Sequence, residues 1–238
     1  MQSPTHSARN LIAELKGSTH ADQIVIVGAH YDTEYSSPGA NDNATGVAAM
    51  LKIARSLQLS GPMGRTIRFV AFSNEEQPFS RTDQMGSRVY ADYCRERSEQ
   101  VSAMICLETI GFYTNEPGSQ KFPDHFPQSI GHDAGNFIAI VSNLESETLL
   151  KECITTFRSK VRFPSIALAV AESVRGIDYS DHQSFWRAGY PAVMVTDTAF
   201  FRYPHYHEKT DTPDKIDFDR LTIVTSGIAA MIIKLGQA

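Results

Sequence analysis

"QIVIVGAHYD", residues 23–32, is the stretch whose reading decides the fold. Its apolar run is continuous rather than alternating and is rich in β-branched residues, as expected of a strand buried on both faces. The period then changes: in "GVAAMLKIARSL" (residues 46–57), Val47, Met50, Leu51, Ala54 and Leu57 recur at helical spacing. The alternation continues with a strand "TIRFVAFS" (66–73), a helix "SRVYADYCRE" (87–96) and a buried strand "SAMICLETIG" (102–111). Beyond a loop rich in Gly, Pro and His (112–136) come a strand "NFIAIVS", a helix over about 145–159, a strand "SIALAV", a short helix "DHQSFWRAG", a strand "AVMVTD" and a final amphipathic helix over about 217–235. Repeated strand–helix units predict an α/β fold with three layers, a mostly parallel central sheet carrying helices on both faces. We expect one domain over residues 1–238. In such sheets the ligand site lies beyond the carboxyl ends of the strands.

Composition narrows the function classes. With 42% hydrophobic and 21% charged residues, the chain can bury a proper core. Lys and Arg number 22 against 27 Asp and Glu, without a block of like charge, which argues against a nucleic-acid footprint or a polybasic membrane anchor. The longest apolar runs, "IVIVGA" and "IALAVA", are far too short to span a bilayer, so neither a nucleic-acid nor a membrane partner is expected. The first twenty residues lack the basic-then-apolar layout of a signal peptide, but a start after a removed export signal would look the same, and the compartment stays open. Cys94, Cys106 and Cys153 are an odd set without CxxC spacing, which speaks against a disulfide framework or a Cys–zinc site; Cys106, in "MICL", reads as core.

Several predicted strands end on metal-ligand residue types. "IVIVGAH" ends on His30, "RFVAFSNEE" on Glu75 and Glu76, and "AMICLE" on Glu108, so a parallel sheet would crowd all four side chains at one edge. His30 and Asp32, two apart on extended backbone, fall on one side, and a metal-bound imidazole usually gives its second N–H to a carboxylate. Asp32 is therefore a natural supporting partner for His30 or for a nearby ligand, although "HYD" also fits a plain strand-end turn. Asp42, opening the helix in "NDNATG", can be an N-cap or a carboxylate bridging two cations. Adjacent carboxylates in "NEE" can divide two duties, one as ligand and one as general base. Late in the chain "YPHYHEKTDTPD" (203–214) gathers two histidines with three acids in a turn-rich loop.

In order and spacing, "GAHYDT", "GANDNATGVAAML", "FSNEE", "LETIG", "SDHQSFWRAGYPAVMVTDT" and "YHEKTDTPD" resemble the M28 family of zinc aminopeptidases and their glutaminyl cyclase relatives, from about Ala21 onward. The resemblance implies a zinc-dependent exopeptidase fold holding two Zn²⁺ ions, with His30 and Glu108 on one, Glu76 and His207 on the other, Asp42 between them and Glu75 as general base. It implies that His207, rather than the rim residue His205, closes the site, with Asp211 and Thr212 shaping its turn and Glu208 and Asp214 solvated. Two departures are visible. The family often has Asp where this chain has Glu108, and zinc accepts either carboxylate. The chain also begins only some twenty residues before the first motif strand, which suggests a shorter sheet or a less covered edge.

The implied activity is removal of N-terminal residues from a peptide or small amide with a free N-terminus. Tyr179 is a candidate oxyanion donor; Asp181 and His182 either line the cavity or cap the short helix; Phe200, Phe201 and Tyr203 form an apolar wall or core; Arg202 receives no role. Loops 112–136 and 198–206 should shape the pocket. The competing readings are a one-zinc glutaminyl-peptide cyclotransferase, against which stands Tyr-His in place of Trp-His in the last motif, and a receptor-like domain on the same fold that has lost its metals.

Overall fold

The structure is a computed structural model and describes residues 7–123 and 133–237. Seven strands form one mixed sheet: β1 (Leu11–Leu15), β2 (His20–His30), β3 (Arg65–Phe72), β4 (Gln100–Glu108), β5 (Ile138–Ser142), β6 (Ser165–Ala169) and β7 (Ala192–Thr196), in the order β1-β3-β2-β4-β7-β5-β6. Pairings β2–β3, β2–β4, β4–β7 and β5–β6 are parallel, whereas β1–β3 and β5–β7 are antiparallel. Among the described residues five α-helices accompany them: α1 (Gly46–Ser60), α2 (Gly86–Glu96), α3 (Glu147–Lys160), α4 (His182–Arg187) and α5 (Phe218–Gln237).

The continuous apolar runs have a direct cause, since alternate side chains feed two cores. Val25, Val27, Ile105, Leu107, Val193 and Val195 pack with α1, α3 and α5 on one face. Ile24, Ile26, Met104, Cys106 and Met194 pack with α2 and α4 on the other. A strand buried on both sides has no solvated face to alternate with. Gly28 marks a tight point in β2, because a Cβ there would lie 2.3 Å from the Phe72 ring. All three cysteines are free and buried.

Two expectations need correction. Leu51 is 61% exposed; the buried stripe of α1 runs through Ala49, Met50, Ile53 and Leu57, because Leu51 sits about 100° round the helix from Met50. The short lead before β2 does hold a strand: β1 caps the sheet edge antiparallel to β3, and four of its five residues are exposed. Among the described residues no helix is long and apolar enough to cross a membrane.

Candidate metal centre

Four neighbouring strands, β2, β3, β4 and β7, run parallel, so their carboxyl ends share one edge. β2 delivers His30, the turn after β3 delivers Glu75 and Glu76, and β4 ends on Glu108. Asn74, between the end of β3 and the two glutamates, adopts a left-handed conformation (φ 57°). His30, Asp42, Glu75, Glu76 and Glu108 are all buried.

The five residues expected to hold cations converge. His30 Nε2 lies 3.2 Å from Asp42 Oδ1 and 3.2 Å from Glu108 Oε2. His207 Nε2 lies 3.0 Å from Asp42 Oδ2 and 3.3 Å from Glu76 Oε1. Asp42 thus turns one oxygen toward each imidazole. Glu75 stands beside the pair, its Oε2 4.0 Å from His30 Nε2. Glu108 reaches this position despite its extra methylene, steadied by the Ser180 hydroxyl, which donates to Oε2 at 2.7 Å.

The supporting contacts are specific. His30 Nδ1–H donates to the backbone carbonyl of Asp32 (3.1 Å), which leaves Nε2 free to ligate. The Asp32 carboxylate is 3.9 Å from that ring and instead accepts the backbone N–H groups of Glu75 (3.2 Å) and Glu76 (3.1 Å). Of the two supporting roles open to it, the Asp32 carboxylate takes the one beside a neighbouring ligand, holding Glu76 through its backbone rather than the His30 ring. Asp32→Ala is expected to weaken metal retention about 10- to 100-fold, as loss of a supporting partner commonly does; competition with a chromophoric chelator reads this, and unchanged retention would remove Asp32 from the assembly.

Asp42 is not a helix cap. Its segment (Ala40–Thr45) makes no side-chain cap bond, and Asp42 itself has non-helical backbone angles. Asp211, fully buried, accepts the backbone N–H groups of Asn41 (2.8 Å) and Asp42 (3.1 Å) and the Tyr203 hydroxyl (2.6 Å), so it clamps the loop that carries Asp42 as well as closing the late turn. Asn41 adds a bond to Asp197 (2.9 Å), and Asn43 ties the loop to β4 through Leu107. His207 occupies a left-handed conformation (φ 60°) and stacks on Tyr206 at 3.8 Å, while His205 turns away to Thr210 (2.8 Å).

Other expectations are redirected. Asp181 makes no cap bond to α4 and neither it nor His182 lines the cavity. Burial raises the Asp181 carboxyl to about 7, against the pull of His30 and Ser87 and with repulsion from Glu108. His182 donates Nε2–H to the Ile177 carbonyl (2.6 Å), sets its ring edge-on to Trp186, and is pushed down to about 4 by burial. Tyr203 packs beneath the site, whereas Phe200, Phe201 and Tyr206 face an apolar cavity. Arg202 is a structural cation, donating to Gln120 (2.8 Å) and the Phe137 carbonyl (2.8 Å).

That cavity is floored by Ala139, Val141, Ile166, Leu168 and Met194 and opens onto Glu108. Residues 120–123 and 198–201 line it; the part of loop 112–136 at 124–132 lies outside the described residues. Tyr179 sits on its wall, 42% exposed and near Phe200. Tyr206 is the residue that sequence reasoning overlooked. Its ring stacks on His207 and lines the cavity along with Glu108, and its phenol is held well above the usual range, first by burial and then by the charges of Asp42, Glu108, Glu75 and Glu76.

The electrostatics call for cations. Asp32, Asp42, Glu75, Glu76, Glu108 and Asp181 gather around two imidazoles, and among the described residues no Lys or Arg pairs with any of them. Burial lowers the proton affinity of His30, but Glu108, Glu75 and Asp42 more than reverse this; burial also works against His207, yet Asp42 and Glu76 raise it to about 10. Burial likewise opposes ionisation of Asp42, yet His207 and His30 bring it down to about 2. Both Asp42 oxygens, Glu76 Oε1 and His207 Nε2 are nevertheless buried without an aligned hydrogen bond. Buried ligand atoms with short contacts but no hydrogen-bond alignment fit cations placed between them. Two imidazoles and three carboxylates, without thiolate, suit Zn²⁺.

Comparison with known proteins identifies the family and the fold. The model of peptidase family M28 matches residues 10–232. The uncharacterized protein YfbL of Escherichia coli is 36% identical over 217 residues, covering 88% of this chain and 66% of the relative. Aminopeptidase YwaD of Bacillus subtilis is 31% identical over 221 residues, covering 88% of this chain and 40% of the relative. Among solved structures, BSAP, a zinc aminopeptidase from Bacillus subtilis, matches with a TM-score of 0.73 at 25% identity, over 95% of this chain and 50% of that one. A glutaminyl cyclase from Fimbriiglobus ruber shares the fold (TM-score 0.63, 21% identity, 94% of this chain and 74% of that one). The chain spans from two fifths to two thirds of the length of the curated relatives it matches.

Proposed function

The chain belongs to peptidase family M28, and from that premise we propose that it is a zinc aminopeptidase with two co-catalytic ions, acting on peptides or small amides with a free N-terminus and an apolar first side chain. The observation that carries this reading is Asp42, whose two oxygens face His30 at 3.2 Å and His207 at 3.0 Å. His30 and Glu108 would hold one ion, Glu76 and His207 the other, and Asp42 both. When bound, the ions supply Lewis acidity, which lowers the pKa of water and polarises a carbonyl.

The chain's own groups do the rest. Glu75, beside His30 but not between the imidazoles, takes the proton of the attacking water and returns it to the leaving amine. Its proton affinity is raised, chiefly by burial and further by Glu108, Asp181 and Glu76 against the pull of His30, which makes it a stronger acceptor. Tyr206, kept protonated, donates to the developing oxyanion. The apolar cavity next to Glu108 and Tyr206 receives the first side chain and excludes water from the scissile bond.

A panel of aminoacyl chromogenic amides with a glutaminyl peptide tests the proposal. Leucyl, methionyl and phenylalanyl amides should be cleaved about tenfold or more faster than glutamyl or lysyl amides, since placing a charge in a dry apolar pocket costs more than a methylene misfit. Ring closure of the glutaminyl peptide without amide hydrolysis would replace this reading with the cyclase.

A further inference from the structure

Glu34, on the loop after β2, has no part in the ligand set described so far. One of its carboxylate oxygens lies within 4.8 Å of a Glu76 oxygen and a His207 ring nitrogen, which are themselves within that distance of each other. Among the described residues its side chain makes no hydrogen bond and no ion pair. Two carboxylates, Glu34 and Glu76, share the single imidazole of His207 with, among the described residues, no Lys or Arg paired to either, a crowding of negative charge that a cation would relieve.

A second observation points the same way from inside. Glu76 is 94% buried, and its Oε1 has no aligned hydrogen-bond partner, although it lies 3.3 Å from His207 Nε2. His207 Nε2 is likewise without an aligned partner. An ion shared by Glu76 and His207 would therefore sit within reach of the Glu34 carboxylate. An ion with zinc–oxygen distances of about 2.0–2.2 Å spans donors up to about 4 Å apart, so only a small closing movement of a surface loop separates Glu34 from the shell.

We propose that Glu34 is a further ligand of the cation held by Glu76 and His207, a carboxylate that closes that ion's outer side. The inference rests on the two-ion reading above and adds a residue to one ion only. An added anionic ligand tightens the second ion selectively, because Glu34 is grouped with neither His30 nor Glu108. The same carboxylate is the group that an incoming α-amine would displace, so this ion would be guarded until substrate arrives.

The test is zinc titration of the purified chain against a chromophoric chelator, wild type beside Glu34→Gln and Glu34→Ala. With folding checked by melting temperature in the metal-free state, both variants should bind the first equivalent as tightly as wild type and the second about tenfold or more weakly. Two equivalents of unchanged affinity in both variants would overturn the role of Glu34 while leaving the two-ion reading intact. Unchanged affinities with a raised KM for aminoacyl amides would also overturn it, identifying Glu34 as a group that binds substrate. A wild-type chain that takes up fewer than two equivalents would instead overturn the two-ion reading itself, and this proposal with it.

Discussion

Glu75→Gln is expected to lower kcat by about two to four orders of magnitude while leaving metal content unchanged. The substitution keeps the shape of the side chain and removes its capacity to accept a proton. Nothing in the hydrogen-bond pattern should move, because Asp32 positions Glu75 through its backbone N–H rather than its carboxylate. The carboxylate also contacts His30 only at 4.0 Å, outside the tighter cage formed by Asp42 and Glu108. A fall of that size corresponds to about 3 to 5 kcal/mol of lost transition-state stabilisation. Single-turnover kinetics with metal analysis on the same sample measures it, and a variant working at wild-type rate would end the assignment of Glu75 as base.

Asp42→Asn should be as severe, but through the metals. An amide offers one acceptor oxygen where the carboxylate has two, and its NH₂ would confront whichever ion faces it. Since one oxygen of Asp42 serves His30 and the other His207, only one side can be satisfied after the change. Occupancy should drop toward one equivalent, and kcat/KM should fall about a thousandfold or more, matching several kcal/mol of charge stabilisation withdrawn. The fold should persist, because the loop is held by Asp211 on the backbone of Asn41 and Asp42, and by Asn43 on Leu107. Full occupancy with activity within tenfold of wild type would show that the bridge is dispensable.

Much of this was legible in the sequence because the fold writes its site at strand ends. Buried runs ending on His30 and Glu108, with Glu75 and Glu76 just past the end of β3, could be read without coordinates, since a parallel sheet carries its strand termini to one edge. The residues that hold these groups in place were harder to see. Asp211 and Asp42 are 169 positions apart, and only the closed fold puts the carboxylate of one on the backbone of the other. Spacing marks Asp32 as a support for His30 or a nearby ligand; that its carbonyl serves His30 and its carboxylate the backbone of Glu75 and Glu76 is a distinction that spacing cannot make. Tyr206 was hidden because a tyrosine in a turn has many uses, and only the neighbouring carboxylates and the cavity mark it. β1 escaped notice for the opposite reason: exposed at four of its five positions, it has little of the hydrophobic pattern that identifies an interior strand.

The most direct test of a pair of ions at this edge of the sheet is anomalous diffraction from zinc-loaded crystals at the zinc absorption edge. Two peaks about 3.5–4 Å apart are expected, one touching His30 and Glu108, the other touching Glu76 and His207, with Asp42 reaching both. A single peak, or two that do not share Asp42, would contradict the account.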